Sequence, residues 1–174
     1  MLFKKQTPVA KGKPAAAPSA ATAAVNELTL DFSKLGATSM MTTEDHSAGD
    51  VVKKGILKIG PFVGLISRDK IATKPGLVYR CEFQVKALQD SKNGLPNNFF
   101  IGPVPRDEKG NVLDWWKQQR PIKVSEKIRK GHVDLQMPEG TVAVHIGILG
   151  NWAHPGPAGN GQIGVVWMRL SRVA

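Results

Sequence analysis

From Tyr79 to Ala87 the chain alternates without a break: Tyr79, Cys81, Phe83, Val85 and Ala87 fall on one side, and Arg80, Glu82, Gln84 and Lys86 on the other. A helix would scatter the four polar side chains around its circumference, whereas a pleated strand puts all of them in water and the five less polar ones in a core. The pattern predicts a long half-buried β-strand, introduced by the Pro75-Gly76 turn and long enough to lie inside a sheet. Shorter runs repeat it. Leu28, Leu30 and Phe32 alternate with Thr29 and Asp31, Ile56–Ile59 and Phe62–Ile66 flank Gly60-Pro61, and Phe99-Phe100-Ile101 opens another strand. Arg106–Asn111 reads as a hairpin turn, because Gly110 and Asn111 tolerate positive φ, with Val112–Trp116 returning. His132–Met137 and Thr141–Leu149 read as a second hairpin around Pro138-Glu139-Gly140, with Val142, Val144, Ile146 and Ile148 on one face. Gln162–Val173 closes the chain, with Val166, Met168 and Leu170 as its inward set. Thr42–Asp50, Asp90–Asn98 and Gly150–Gly161 read as loops, and Ser125–Lys130 as either a helical turn or a connection. Strands at short intervals, with turn chemistry between them and no long amphipathic helix, predict an all-β antiparallel sandwich or barrel.

The first 26 residues do not share this pattern. Pro8, Pro14 and Pro18 break any helix, and the alanines between and after them offer little to bury, so residues 1–26 read as an extended low-complexity arm on a domain spanning 27–174. Of the net charge of +10, four units come from Lys4, Lys5, Lys11 and Lys13, and no acid precedes Glu27. A basic arm is suited to gripping acidic surfaces of partner subunits. The remaining +6 (10 − 4) is spread along the domain with no basic stripe interleaved with aromatics, which disfavours a nucleic-acid partner. No apolar run has the length of a membrane helix, and the first residues lack the apolar stretch of a secretion signal, so a membrane partner is not expected.

Candidate chemistry is sparse. The single cysteine, Cys81, excludes an intramolecular disulfide and falls on the apolar face of its strand. Ser125 with His132 or His145 lacks a supporting motif, so no catalytic residue is assigned. The histidines (His46, His132, His145, His154) show no metal-ligand spacing, the Glu44, Asp45 and Asp50 oxygens lack the pattern of a calcium loop, and no glycine-rich turn opens a helix to cradle a phosphate. Neither a metal nor a cofactor is expected. Aromatic residues remain: Trp115 and Trp116 are adjacent, so one of them faces outward from a strand, and Trp152 sits in a Gly/Pro-rich loop. Exposed indoles suit the flat face of a sugar ring or a protein partner. The competing reading is that these side chains plug the end of the sandwich.

Four stretches, Ile71–Tyr79, Asp107–Val112, Met137–Thr141 and Val165–Leu170, resemble in order and character the jelly-roll β-sandwiches of the carbohydrate-binding-module type, which also occur as accessory domains of bacteriophage capsid and tail proteins. The resemblance covers the chain from about Leu28 onward and implies an antiparallel jelly-roll β-sandwich. Met168 and Arg169 stand where that family's final strand often has an acidic pair, so its structural calcium is not carried over. Joined to the arm, the resemblance implies a non-enzymatic virion structural protein, a bacteriophage capsid-associated or decoration protein made in the host cytoplasm. Its arm would tie it to capsid or tail subunits in a homo-oligomeric or multi-copy assembly. One alternative is a carbohydrate-binding module that holds a glycan through Trp115, Trp116 and Trp152. Another is a small-virus coat protein whose arm binds nucleic acid, for which four lysines among alanines are few.

Overall fold

The alternation resolves into two antiparallel layers in a computed structural model, which describes residues 26–34, 41–43, 51–53, 55–60, 64–88, 99–114, 122, 124–150 and 162–173. The strands are β1 (Glu27–Asp31), β2 (Met41–Thr43), β3 (Val51–Lys53), β4 (Ile56–Ile59), β5 (Gly64–Ser67), β6 (Ile71–Ala72), β7 (Val78–Ala87), β8 (Phe99–Arg106), β9 (Arg129–Gln136), β10 (Ala143–Gly150) and β11 (Ile163–Arg172). Among the described residues one sheet runs β3-β4-β11-β7-β9 with β1 also on β11, and the other runs β2-β5-β10-β6 with β8 also on β10. No helix occurs among these residues. The architecture is an antiparallel jelly-roll β-sandwich, as the sequence predicts.

Strand β7 behaves as its alternation requires. Tyr79, Cys81, Phe83, Val85 and Ala87 are buried, and the intervening polar residues are half-buried on the outer face. Its inner row meets Leu28, Leu30, Met168 and Leu170 from the same sheet and Phe99, Ile101, Val144, Ile146 and Ile148 from the other in one continuous core. Burying each such large aliphatic or aromatic side chain contributes about 1.5–3 kcal/mol, which makes this layer the main source of stability.

The expectations for the later strands fail in part, for reasons of pairing and register. His132–Met137 and Thr141–Leu149 do not form a hairpin: β9 pairs with β7 in the first sheet and β10 with β8, β5 and β6 in the second. The Pro138–Thr141 turn is therefore an arch between layers. Val142 lies outside β10 and is 37% exposed, while Val144, Ile146 and Ile148 take the inner face as expected. In β11 the inward set is Ile163, Val165, Met168 and Leu170, because a register shift between Val165 and Trp167 inserts Val166 as a surplus residue and reverses the alternation. The return strand expected at Val112–Trp116 reduces, among the described residues, to a bridge between Val112 and Arg106 and a Leu113 N–H donated to the Pro105 carbonyl at 3.0 Å. Of Ser125–Lys130, Ser125–Ile128 is a connection, anchored by Ala87 N donating to the Ser125 carbonyl at 2.7 Å, and Arg129 and Lys130 begin β9.

Each central strand is shared along one side by two shorter ones. On β11, β4 pairs with Ile163–Val165 and β1 with Trp167–Ser171, and the gap is closed by Phe32 N donating to the Val166 carbonyl at 3.0 Å. On β10, β5 pairs with Gly147–Leu149 and β6 with Ala143–Val144. The Ile146 N–H left between them is taken by a side chain: it donates to Ser67 Oγ at 3.0 Å, and that hydroxyl donates to the Asp69 carbonyl at 2.7 Å. Ser67 is 1% exposed, so no water replaces it from bulk.

Ser67→Ala would strand the Ile146 N–H inside the sheet. It is expected to lower stability by about 1–3 kcal/mol, measured by urea unfolding, with an unchanged circular-dichroism spectrum. A loss below a few tenths of a kcal/mol would show that the hydroxyl does not complete the ladder.

Candidate functional site

The residues that sequence reasoning selects do not fall within the described structure. Lys4, Lys5, Lys11 and Lys13 of the arm, and Trp115, Trp116 and Trp152, all lie outside the described residues. The surfaces that can be built from side chains are the outer face of the first sheet, the neighbourhood of His145, and one end of the sandwich.

The outer face of the first sheet is polar and largely satisfied by itself. Arg80 holds Asp134 with two hydrogen bonds of 2.7 Å from Nε and Nη2, across the β7–β9 pairing that sets the two residues opposite each other. The guanidinium beside Asp134 holds its carboxyl below the ordinary value. Arg169 binds Glu82 through Nε at 2.9 Å and also through Nη2. Next along the face is the half-buried Trp167, whose indole N–H donates to Gln84 Oε1 at 2.7 Å. The expected inward set of Val166, Met168 and Leu170 already puts Trp167 on the outer face; what the alternation does not give is its partner, Gln84 of β7. Exposed ion pairs of this kind contribute about 0–1 kcal/mol each, so their structural effect is mainly to hold register across the strands.

Other reactive groups are committed to the fold. Burial at 0% exposure pushes the Cys81 thiol well above its ordinary value, so it is not available as a thiolate nucleophile. His145 lies on the side of β10 away from the core and is half-buried, with Nδ1 at 2.8 Å from the Ser67 carbonyl; Nδ1 is therefore the protonated nitrogen, donating to that oxygen. Burial, with smaller contributions from Arg106 and Lys70, lowers its pKa, outweighing the hydrogen bond to Ser67 that raises it. No group of three or more metal-ligating side chains occurs among the described residues.

One end of the sandwich is concave. Three connections meet there: the Thr73–Leu77 turn between β6 and β7, the Asp107–Asn111 turn after β8, and the Pro138–Thr141 arch. Backbone hydrogen bonds fasten them together, with Thr73 N on the Val142 carbonyl at 2.9 Å, Val142 N on the Arg106 carbonyl at 2.9 Å and Gly76 N on the Met137 carbonyl at 2.9 Å. Gly110 and Gly140 take φ of 84° and 81° at the tips of two turns, a conformation that a side chain strongly disfavours. Between the turns lies a groove of about 470 Å³, with Pro75 and Val142 on its apolar side and Asp107, Glu108, Lys109 and Asn111 on its polar side. Asn111 donates to both oxygens of Asp107, from N to Oδ1 at 2.7 Å and from Nδ2 to Oδ2 at 2.9 Å. These bonds hold the Asp107 carboxyl below its ordinary value, so it is ionised at neutral pH.

No protein-family model and no curated protein matches the chain. Solved structures do resemble it in fold. A variant of a family 29 carbohydrate-binding module superposes with a TM-score of 0.52 at 12% identity, covering 84% of this chain and 92% of that one. A family 22 xylan-binding domain from Paenibacillus barcinonensis superposes with a TM-score of 0.50 at 13% identity, covering 84% of this chain and 93% of that one. The tandem pair of family 22 modules from the same organism gives 0.51 at 14% identity, covering 89% of this chain and 47% of that one. At these identities the likeness establishes a shared fold.

The lowered pKa of His145 gives stability a pH dependence of definite sign. Above its ordinary value of 6.5 the ring is neutral in both folded and unfolded chains. As pH falls below 6.5 the unfolded chain takes up a proton that the folded ring resists, so stability falls until pH reaches the lower folded value and then levels off. Urea unfolding at neutral and mildly acidic pH should show this loss in the wild type and a smaller one in His145→Asn; losses of equal size would exclude His145 as its source.

Proposed function

We propose that this β-sandwich is a non-catalytic carbohydrate-binding module that holds a glycan by stacking sugar rings on indole side chains. Support comes from the near-complete superposition on modules of that class, over 92% and 93% of two single-module chains. Fold alone does not carry activity, so the reading also needs side chains of the right chemistry. Trp115, Trp116 and Trp152 supply it: an indole offers a large, flat, apolar face to the C–H side of a pyranose, with little side-chain entropy to lose. Within the described structure, Cys81 is sealed in the core, which is consistent with a binding role and not a nucleophilic one.

The virion reading joins the arm, residues 1–26, to the family resemblance and the lack of a catalytic set, and the superpositions favour the carbohydrate reading over it. The two readings separate by experiment, because the carbohydrate reading places the activity in residues 27–174 and the virion reading needs the arm.

Affinity electrophoresis through gels containing xylan, mixed-linkage β-glucan or glucomannan provides the test. The full chain and a chain lacking Met1–Asn26 should be retarded equally on at least one of these. Trp152→Ala, or Trp115→Ala with Trp116→Ala, should weaken retardation by about tenfold, equivalent to about 1.4 kcal/mol for a lost stacking partner. Unretarded migration of the full chain on all three polysaccharides would refute the reading.

A further inference from the structure

We infer that the groove at the end of the sandwich, between the Asp107–Asn111 turn and the Pro138–Thr141 arch, is a second binding site for a neutral, hydroxyl-rich ring: a single sugar or the terminal residue of a glycan. This rests on the carbohydrate reading and extends it to residues outside the tryptophan set.

The chemistry of the two walls selects the ligand. Val142 is one of two large hydrophobic residues left exposed among the described residues, at 37%, and it stands with Pro75 on one side of the groove. An apolar wall of this size beside a polar one favours a molecule with one C–H face and one hydroxyl edge. The polar wall offers a matching acceptor. The Asp107 oxygens accept three hydrogen bonds within the turn, two from Asn111 and one from the Lys109 backbone, which fixes the carboxylate plane and leaves one of its four lone pairs to accept a sugar hydroxyl. Lys109, on the same turn, adds a donor for a ring or hydroxyl oxygen, whereas Glu108 beside Asp107 discourages an anionic ligand.

Size and rigidity agree with this assignment. At about 470 Å³ the groove falls in the lower part of the range for small-molecule sites, about 300–1,000 Å³. It lies across the end of the sandwich, where it receives a chain end or a branch. Its walls belong to three connections already fastened by backbone hydrogen bonds, so little ordering is left to oppose binding.

The experiment follows backbone amide NMR shifts of the full chain during titration with D-glucose, D-galactose, D-mannose and D-xylose, each to about 50 mM, suited to dissociation constants on the order of 1–10 mM. At least one sugar should give saturable shifts at Lys109–Asn111 and Gly140–Val142. Asp107→Asn and, independently, Val142→Ser should each weaken that binding at least about fivefold, while the remaining amides keep their positions. Val142→Ser retains the backbone donor to Arg106, so it tests the apolar wall even if Asp107→Asn disturbs its turn. Absence of saturable shifts at these amides with all four sugars, in a protein still retarded by polysaccharide, overturns the groove assignment and leaves the module reading standing. Absence of both overturns both. Shifts that persist undiminished in both variants also overturn the groove assignment.

Discussion

Strand β11 can pair with β7 along its whole length only by carrying one surplus residue, and the position of that residue decides which side chains enter the core. Before Val166 the inward residues are Ile163 and Val165; after it they are Met168 and Leu170. Without the bulge, one half of the strand would turn its apolar row to water, since a shift of one residue exchanges the two faces. The same surplus residue offers its carbonyl to Phe32 N, so the irregularity that corrects the parity also closes the seam between β4 and β1. Around this strand the six-stranded layer is assembled, and the second layer packs against what β7 and β11 jointly present.

The layers are legible in the sequence wherever alternation is long and undisturbed. The nine positions from Tyr79 to Ala87 fall in and out of the core as their polarity dictates, and Leu28, Leu30 and Phe32 do the same over a shorter stretch. What the sequence does not carry is the partner of each strand. Pro138-Glu139-Gly140 has the chemistry of a tight turn whether the flanking strands pair with each other or cross between layers, and only the remote partners β7 and β8 decide between these. Parity in β11 was hidden for a similar reason: Val165, Val166 and Met168 are all apolar, so no polar residue marks the place where the alternation slips.

The binding surfaces divide along the same line. Indoles at Trp115, Trp116 and Trp152 stand out in a sequence because they are rare and costly to leave in water. The groove does not stand out, because it is composed of ordinary turn residues from three parts of the chain that become neighbours only when β6, β8 and β10 share a sheet. Trp167 lies between these cases. It is conspicuous by residue type and its outward side follows from alternation with Met168 and Leu170, yet the Gln84 oxygen that takes its N–H comes from a remote strand.

Strand β8 holds two prolines, Pro103 and Pro105, opposite Ile146 and Val144 of β10. The Pro105 carbonyl points away from β10, toward Leu113, and the imino nitrogens of this alternating pair face the same way. Both prolines are buried, and beyond them Leu113 N donates to the Pro105 carbonyl and Ile122 N to that of Phe99, so this side of β8 is covered by the chain's own later turns. A residue without an N–H is tolerated there because no further strand has to be hydrogen-bonded along it, and the cover that seals the border needs only carbonyl acceptors from these positions.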